Sequence, residues 1–380
     1  MNSSEASTFG EPTSETEGRS TEADFAACGS QRPSRLTSGQ VVLYPTFGHP
    51  TVDNRAWHIG ISGVVFEAGR NNLRRKMFIR VLQRLLNITS DELHNPLFQR
   101  RVDRFLVNTE KDRQIAVGVG NRQYVAQRPS KRNGHFRGSF CLSREEIASI
   151  SIDRSPALDQ VHFRVTSPTT SSTNVGVAQL IEATGLSVIS DIDDTIKLSE
   201  VADRRRLLHN TFLREFVPVH GMADLYRTWG NCGAAFHYVS SSPWQLYGCL
   251  ADFMQQSGFP DGSFHLRAIR LRDASVLKLF VARRATKRRV IRSIVRMFPH
   301  RKFILVGDSG ERDPEIYGTI ARQFQGRIGQ IVIRNVPGRQ MDRERVRRAF
   351  RELPRRLWQV FESPEEVFHN AAELTERPAF

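Results

Sequence analysis

Little in this sequence argues for an extracellular or membrane-spanning protein. It holds four cysteines in 380 residues (Cys28, Cys141, Cys232 and Cys249), scattered without the spacing of a zinc site or a disulfide framework. A reducing, cytoplasmic setting is therefore expected. No apolar run approaches the ~20 residues of a membrane-spanning helix. The N-terminal residues are Ser, Thr, Glu and Gly rather than the basic-then-apolar order of a secretion signal. Any membrane attachment is expected to be peripheral. Acid is also short. Forty Asp and Glu face 55 Lys and Arg, a formal net charge of +15. Such an excess suits a polyanionic partner, whether nucleic acid, an anionic membrane surface or an acidic substrate, although solubilising surface arginines would account for it too. Nucleic acid is not expected, because no zinc, helix-turn-helix or aromatic stacking motif accompanies the charge.

What is present divides into four stretches. Residues 1–38 are rich in Ser, Thr, Glu and Gly, and are expected to be disordered because they cannot bury enough apolar surface. Residues 39–183 read as a smaller β-rich, sandwich-like domain: segments 41–44, 57–66, 104–107, 114–119, 135–140 and 161–165 are strand-like, separated by turns such as Gly120-Asn121 and Asn133-Gly134. One helix interrupts them at 74–86, with Met77, Phe78, Val81, Leu82, Leu85 and Leu86 at helical spacing. Its apolar stripe is expected to pack on its own domain rather than on a membrane. His135 and Arg137 read as an exposed strand face. Residues 184–337 alternate strands with helices, the grammar of an α/β doubly wound parallel sheet. Residues 338–380 read as a basic helical extension, with eight arginines against three acidic residues between 339 and 356.

The chemistry concentrates at Asp191-Ile192-Asp193-Asp194-Thr195, where an apolar strand breaks into carboxylates. Two further strand ends carry Ser240-Ser241-Ser242 and Gly307-Asp308, with Asp313 just beyond, and Lys287 opens the helix before the latter. In a parallel sheet such ends share one edge, so these groups can converge. Together they suit phosphoryl transfer. A carboxylate can attack phosphorus, a second acid can protonate the leaving oxygen, a hydroxyl and an ammonium can hold phosphoryl oxygens, and a hard cation can offset the charge. Blander roles stay open. Asp194 reads as a cap, Asp313 before Pro314 could start a helix, Lys287 could lie on a solvated face, and three serines compete for one role.

This ordered set resembles the haloacid dehalogenase superfamily of aspartate-nucleophile phosphatases. The stretches 190–197, 210–212, 218–223, 238–246, 262–267 and 303–311 resemble more closely the catalytic-domain family of the actin-patch phosphatidate phosphatases, which is related to that of the lipins. The resemblance implies a haloacid dehalogenase-like fold and Mg²⁺-dependent conversion of phosphatidate to diacylglycerol through an aspartyl-phosphate. It implies Asp191 as nucleophile and Asp193 as general acid/base. Thr195, Ser240 and Lys287 would bind the phosphoryl group, and Asp191, Asp193 (through its carbonyl), Asp308 and Asp313 would hold the metal. About forty residues separate Thr195 from the next strand, too few for a large cap, so an open site able to take a phospholipid head group is expected. Arg267, Arg270, Arg272, Arg283 and Arg284 are candidate rim residues for anionic lipid. A soluble phosphate monoester as substrate, and a catalytically silent lipid-sensing module, remain the alternatives.

Overall fold

A computed structural model describes residues 40–67, 72–151, 159–166, 175–269 and 284–367. The segment expected to be disordered (1–38) and the rim residues Arg270, Arg272 and Arg283 lie outside the described residues, as does the Arg284 side chain.

The first half opens with strands β1 (Gln40–Leu43), β2 (Thr46–Pro50) and β3 (Ala56–Glu67) and helices α1 (Asn72–Leu86), α2 (Ser90–His94) and α3 (Pro96–Phe105). It continues through β4 (Asn108–Thr109), β5 (Ala116–Val119), β6 (Arg122–Val125), β7 (His135–Ser143), α4 (Arg144–Ser151), β8 (Gln160–Val165) and β9 (Val175–Leu180). Hydrogen bonds link its strands into a nine-stranded sheet in the order β1-β3-β2-β9-β8-β5-β6, with β4 and β7 also on β3. Val41, Ile59, Val117, Phe140, Phe163 and Ala178, from six different strands, share one cluster. These strands form one hydrogen-bonded sheet with a shared core, where a sandwich-like arrangement was expected.

Two local readings change. The strand expected at 104–107 is instead the end of α3 and the loop after it. Asn95 caps that helix by accepting from the Leu97 N–H at 2.8 Å, Pro96 occupies its first turn, and Phe98, Val102 and Phe105 are buried at helical spacing. A four-residue window was too short to show that period. Of the supposed exposed pair, Arg137 is exposed. His135 is half-buried edge-on against Trp244, and burial pushes its pKa down to about 4.

The second half runs β10 (Thr184–Ser190), α5 (Arg204–Phe212), α6 (Met222–Asn231), β11 (Ala235–Pro243), α7 (Tyr247–Gln256), β12 (Gly262–Arg267), α8 (Arg284–Met297), β13 (His300–Asp308), α9 (Asp313–Gln323), β14 (Ile328–Arg334), α10 (Arg343–Ala349) and β15 (Trp358–Phe361). Its six strands are all parallel, in the order β12-β11-β10-β13-β14-β15. Successive side chains on a strand point to opposite faces. Accordingly Val188, Ile304 and Val306 enter one core with α5, α6 and α7, while Ile189, Phe303 and Leu305 enter another with α8 and α9. Helices on both faces make this the expected doubly wound α/β layer.

Helix α1 packs differently from expectation. Phe78, Leu82 and Leu86, with Phe98, Val102 and Phe105 of α3, join the core of the parallel sheet rather than that of the nine-stranded one. The C-terminal stretch is also more than a basic helix, because β15 extends the sheet beside β14. Its Trp-Gln-Val-Phe sequence is masked by the arginines around it. Helix α5 escaped notice for the same reason: Arg204, Arg205 and Arg206 precede Leu207, Leu208, Thr211 and Phe212, which are buried.

Candidate active site

The parallel sheet brings the ends of β10 and β13 side by side. Ser190 pairs with Val306, and the Asp191 N–H donates to the Val306 carbonyl at 2.9 Å, so Asp191 leaves the sheet opposite the end of β13. Its carboxylate is buried (1% exposed), and Oδ1 lies 2.8 Å from Lys287 Nζ on α8. The same ammonium is 2.5 Å from Asp313 Oδ1 at the start of α9. Thr195 Oγ1 donates to Asp191 Oδ2 at 3.4 Å. Asp308 Oδ1 accepts from the N–H groups of Gly310 (2.6 Å) and Glu311 (3.0 Å), which leaves Oδ2 buried without a hydrogen-bond partner. Oxygens of Asp191, Asp308 and Asp313 lie within 4.8 Å of one another.

Glycine makes this approach possible. A Cβ on Gly307 would stand 2.3 Å from Asp313 Oδ2 and 2.6 Å from its Cβ. Only a residue without a side chain lets α9 deliver Asp313 against the end of β13.

Of these three buried carboxylates, Asp191 and Asp313 share one ammonium, and among the described residues Asp308 has none within ion-pair distance. Burial pushes the Asp191 and Asp308 carboxyls well above the usual carboxylate range, with neighbouring carboxylates adding to it and Lys287 opposing. Burial works against the Lys287 charge, but Asp191 and Asp313 outweigh it and hold the ammonium above its ordinary value. Burial also pushes Glu311 up to about 7 against the opposing charge of Lys287. The cluster is short of positive charge, and one buried oxygen has nothing to bond. Both features fit a hard divalent cation, which prefers carboxylate oxygens.

Asp193 sits in a different environment. Its Oδ1 is 2.8 Å from Lys197 Nζ and accepts from Ser199 Oγ at 2.8 Å; Oδ2 accepts from Ser240 Oγ (3.0 Å) and Ser242 Oγ (2.6 Å). Burial alone would raise its pKa, but the Lys197 charge and these donors together bring it down to about 2. Lys197 in turn lies 4.6 Å from the centre of the Phe216 ring, and the buried Arg101 of α3 lies 4.3 Å from that same ring. Arg101 donates to the carbonyls of Thr211 (2.9 Å) and Arg214. A residue from the first half of the chain thus braces the loop beside Asp193.

Of the residues singled out from sequence, Asp191, Lys287, Asp308 and Asp313 meet in one cluster, and Thr195 touches it. Asp193 and Ser240 bond to each other beside it, with the Asp193 carboxylate outside the three-carboxylate group. Asp194 is a cap, as read. Its φ is +54° and its carboxylate accepts from the N–H groups of Ser199, Glu200 and Val201. Sequence reasoning gave no role to Lys197, Ser199 or Glu311, and of the three competing serines it chose Ser240 without Ser242. For Ser242 a signal existed: residues two apart on a strand share a face, so Ser240 and Ser242 act together. Arg267 ends β12 and is half-buried.

Residues 186–335 match the family model described as "Phosphatidate phosphatase APP1, catalytic domain". Phosphatidate phosphatase APP1 of Saccharomyces cerevisiae is 38% identical over 161 residues, and an uncharacterised protein of Schizosaccharomyces pombe 34% over 162. Each alignment takes in 41% of this chain, and the chain spans only about a quarter of the length of these relatives (27% and 26%). A HAD-like phosphatase structure from Mesorhizobium loti overlaps 44% of this chain and 85% of its own, at 11% identity and a TM-score of 0.28. The APP1-type segment contains Asp191, Asp193, Lys287, Asp308 and Asp313. Arg101, which braces the Asp193 loop, lies outside it.

Proposed function

We propose that this protein is a phosphatase for phosphate monoesters, with phosphatidate as its substrate, and that Asp191 is its nucleophile. The observation carrying the proposal is the bridge of Lys287 Nζ between Asp191 and Asp313, beside the unpartnered Asp308 Oδ2. The family match supports it. The residues fit Mg²⁺: Asp191, Asp308 and Asp313 would hold it, and Asp193 would add its carbonyl. When bound, the ion would offset the negative charge of a phosphoryl group so that a carboxylate can approach.

Lys287 and Thr195 hold the Asp191 carboxylate in place, and Lys287 also offers its charge to the phosphoryl oxygens. Asp191 attacks phosphorus, the ester oxygen departs with a proton from Asp193, and an aspartyl-phosphate forms. Asp193 then takes a proton from water, which attacks phosphorus and releases phosphate and free Asp191. The hydrogen bonds around Asp193 favour its ionised form, the form the second step needs. For the first step the carboxyl must take up a proton and give up some of the donors around it, Ser240 among them. Ser240 could then turn to the phosphoryl group.

Peripheral action at an anionic membrane from the cytoplasm belongs to the same proposal. Among the described residues no helix is long and apolar enough to cross a membrane. The test is phosphate release from phosphatidate in mixed micelles beside sugar and nucleotide phosphates, with wild type and Asp191→Asn. Turnover of phosphatidate that disappears in Asp191→Asn is expected. Preference for the soluble esters would overturn the lipid substrate. Lipid binding without turnover of any ester would make the protein a sensing module.

A further inference from the structure

The turn that holds Asp308 has a second face. Gly310 and Glu311, whose N–H groups bond Asp308 Oδ1, also line a separate cavity of about 470 Å³ whose other walls include Arg312, Arg339, Arg345 and Arg348. These guanidiniums are not equally engaged. Arg345, on α10, is built in: it pairs with both Glu315 oxygens (3.0 and 3.3 Å) and donates to the carbonyls of Glu311 (2.6 Å) and Ser309. Its charge is spent on Glu315, and its function is to pin the turn to α10. The other three are exposed and loosely held: Arg312 is 3.9 Å from Glu315, Arg348 is 3.8 Å from Glu344, and Arg339 has its side chain in solvent. Arg345 is neutralised by Glu315, and the Glu311 carboxyl is buried beside Lys287 and Asp313, so three guanidiniums remain to the cavity. A concave, arginine-lined surface with unspent N–H forks is suited to an oxyanion with several acceptor oxygens.

We propose that this cavity is a second anion site that binds a phosphate group through Arg312, Arg339 and Arg348. It is distinct from the carboxylate cluster and shares with it the turn at 309–311. The proposal stands apart from the phosphatase reading, but if that reading holds, the site places a second phosphate beside the one being cleaved. The phosphate can come from a lipid head group or from a soluble ester, and the test separates them.

The wild-type chain of 380 residues and the double variant Arg339→Gln/Arg348→Gln are compared in chelator, where the metal-free carboxylate cluster repels anions. In one arm inorganic phosphate is titrated calorimetrically. In the other, sedimentation is measured with phosphatidylcholine vesicles with and without phosphatidylglycerol, a diester that monoester hydrolysis does not consume. If soluble phosphate is the ligand, wild type binds it and the variant binds at least about tenfold more weakly per guanidinium removed. If the head group is the ligand, binding to the anionic vesicles falls about thirtyfold in the variant, with binding to neutral vesicles unchanged. Arg339→Lys/Arg348→Lys should restore much of the vesicle binding, since a bilayer reads charge more than fork geometry. Turnover of p-nitrophenyl phosphate with Mg²⁺ should be equal in wild type and variants. Its absence from wild type would sink the phosphatase reading while leaving both binding arms decisive. Unchanged binding in both arms overturns the second site.

Discussion

Lys197→Met is the sharpest test of how the site is held. Methionine nearly keeps the volume of the lysine stem and removes only the ammonium, which lies 2.8 Å from Asp193 Oδ1, bonds Ser199 and faces the Phe216 ring. Removing one member of a buried ion pair costs about 3–5 kcal/mol, because the other charge stays buried. A second estimate comes from the proton. Asp193 has a folded pKa of about 2 against an ordinary 3.8, which corresponds to about 2 kcal/mol of stability. Because the folded value is depressed, that stability is fully present above the unfolded pKa and is lost as pH falls from about 4 towards 2. In the variant the carboxyl moves up, so its loss relative to wild type should be about 2–4 kcal/mol at pH 7. The loss should shrink towards pH 3, where a protonated Asp193 no longer needs a cation. Urea unfolding midpoints of both proteins at pH 7 and pH 3, in chelator, measure this. A loss of equal size at both pH values would mean that lysine packing, not its charge, holds the loop, and no loss at either would refute the reasoning outright.

Three further outcomes are expected. Mg²⁺ added to the chelated protein should raise its thermal midpoint, by about 2.7 kcal/mol equivalent at a hundredfold excess over Kd; Asp308→Asn should abolish the rise, and a metal-insensitive wild type would remove the ion from this cluster. Gly307→Ala should cost about 1–3 kcal/mol from the clash with Asp313, and calorimetry with Mg²⁺ should show weakened metal affinity. Arg101→Met should cost about 3 kcal/mol by orphaning the Thr211 and Arg214 carbonyls. Phosphate-release kinetics for Arg101→Met should show a lower kcat with little change in KM, since the Phe216–Lys197 contact positions Asp193 rather than binding substrate.

How much was legible in the sequence follows from how local each signal is. The apolar runs of β10, β11 and β13 and the carboxylates at their ends lie within a few residues of one another, so Asp191, Asp308, Asp313 and Lys287 could be picked out before any coordinates. The alternation of strands and helices settled the parallel sheet in the same way, because hydrophobic period is a property of short windows. The strand order of the first sheet was not legible, since the same short strands can pair in several orders, and the difference lies in which edges meet. Helix α3 and strand β15 were hidden where a window was too short or arginines diluted the pattern.

By itself, then, the sequence determined the candidate side chains of the site and the α/β layer that carries them, because both depend on spacing along the chain. Only the tertiary structure decided that one ammonium serves two carboxylates, that Asp193 is held ionised by Lys197 and three serines, and that Arg101 and Arg345 brace the loops of the candidate site from outside the matched segment. Those contacts join residues as far apart as 113 positions. Their strength comes from burial, which no linear pattern of residues records.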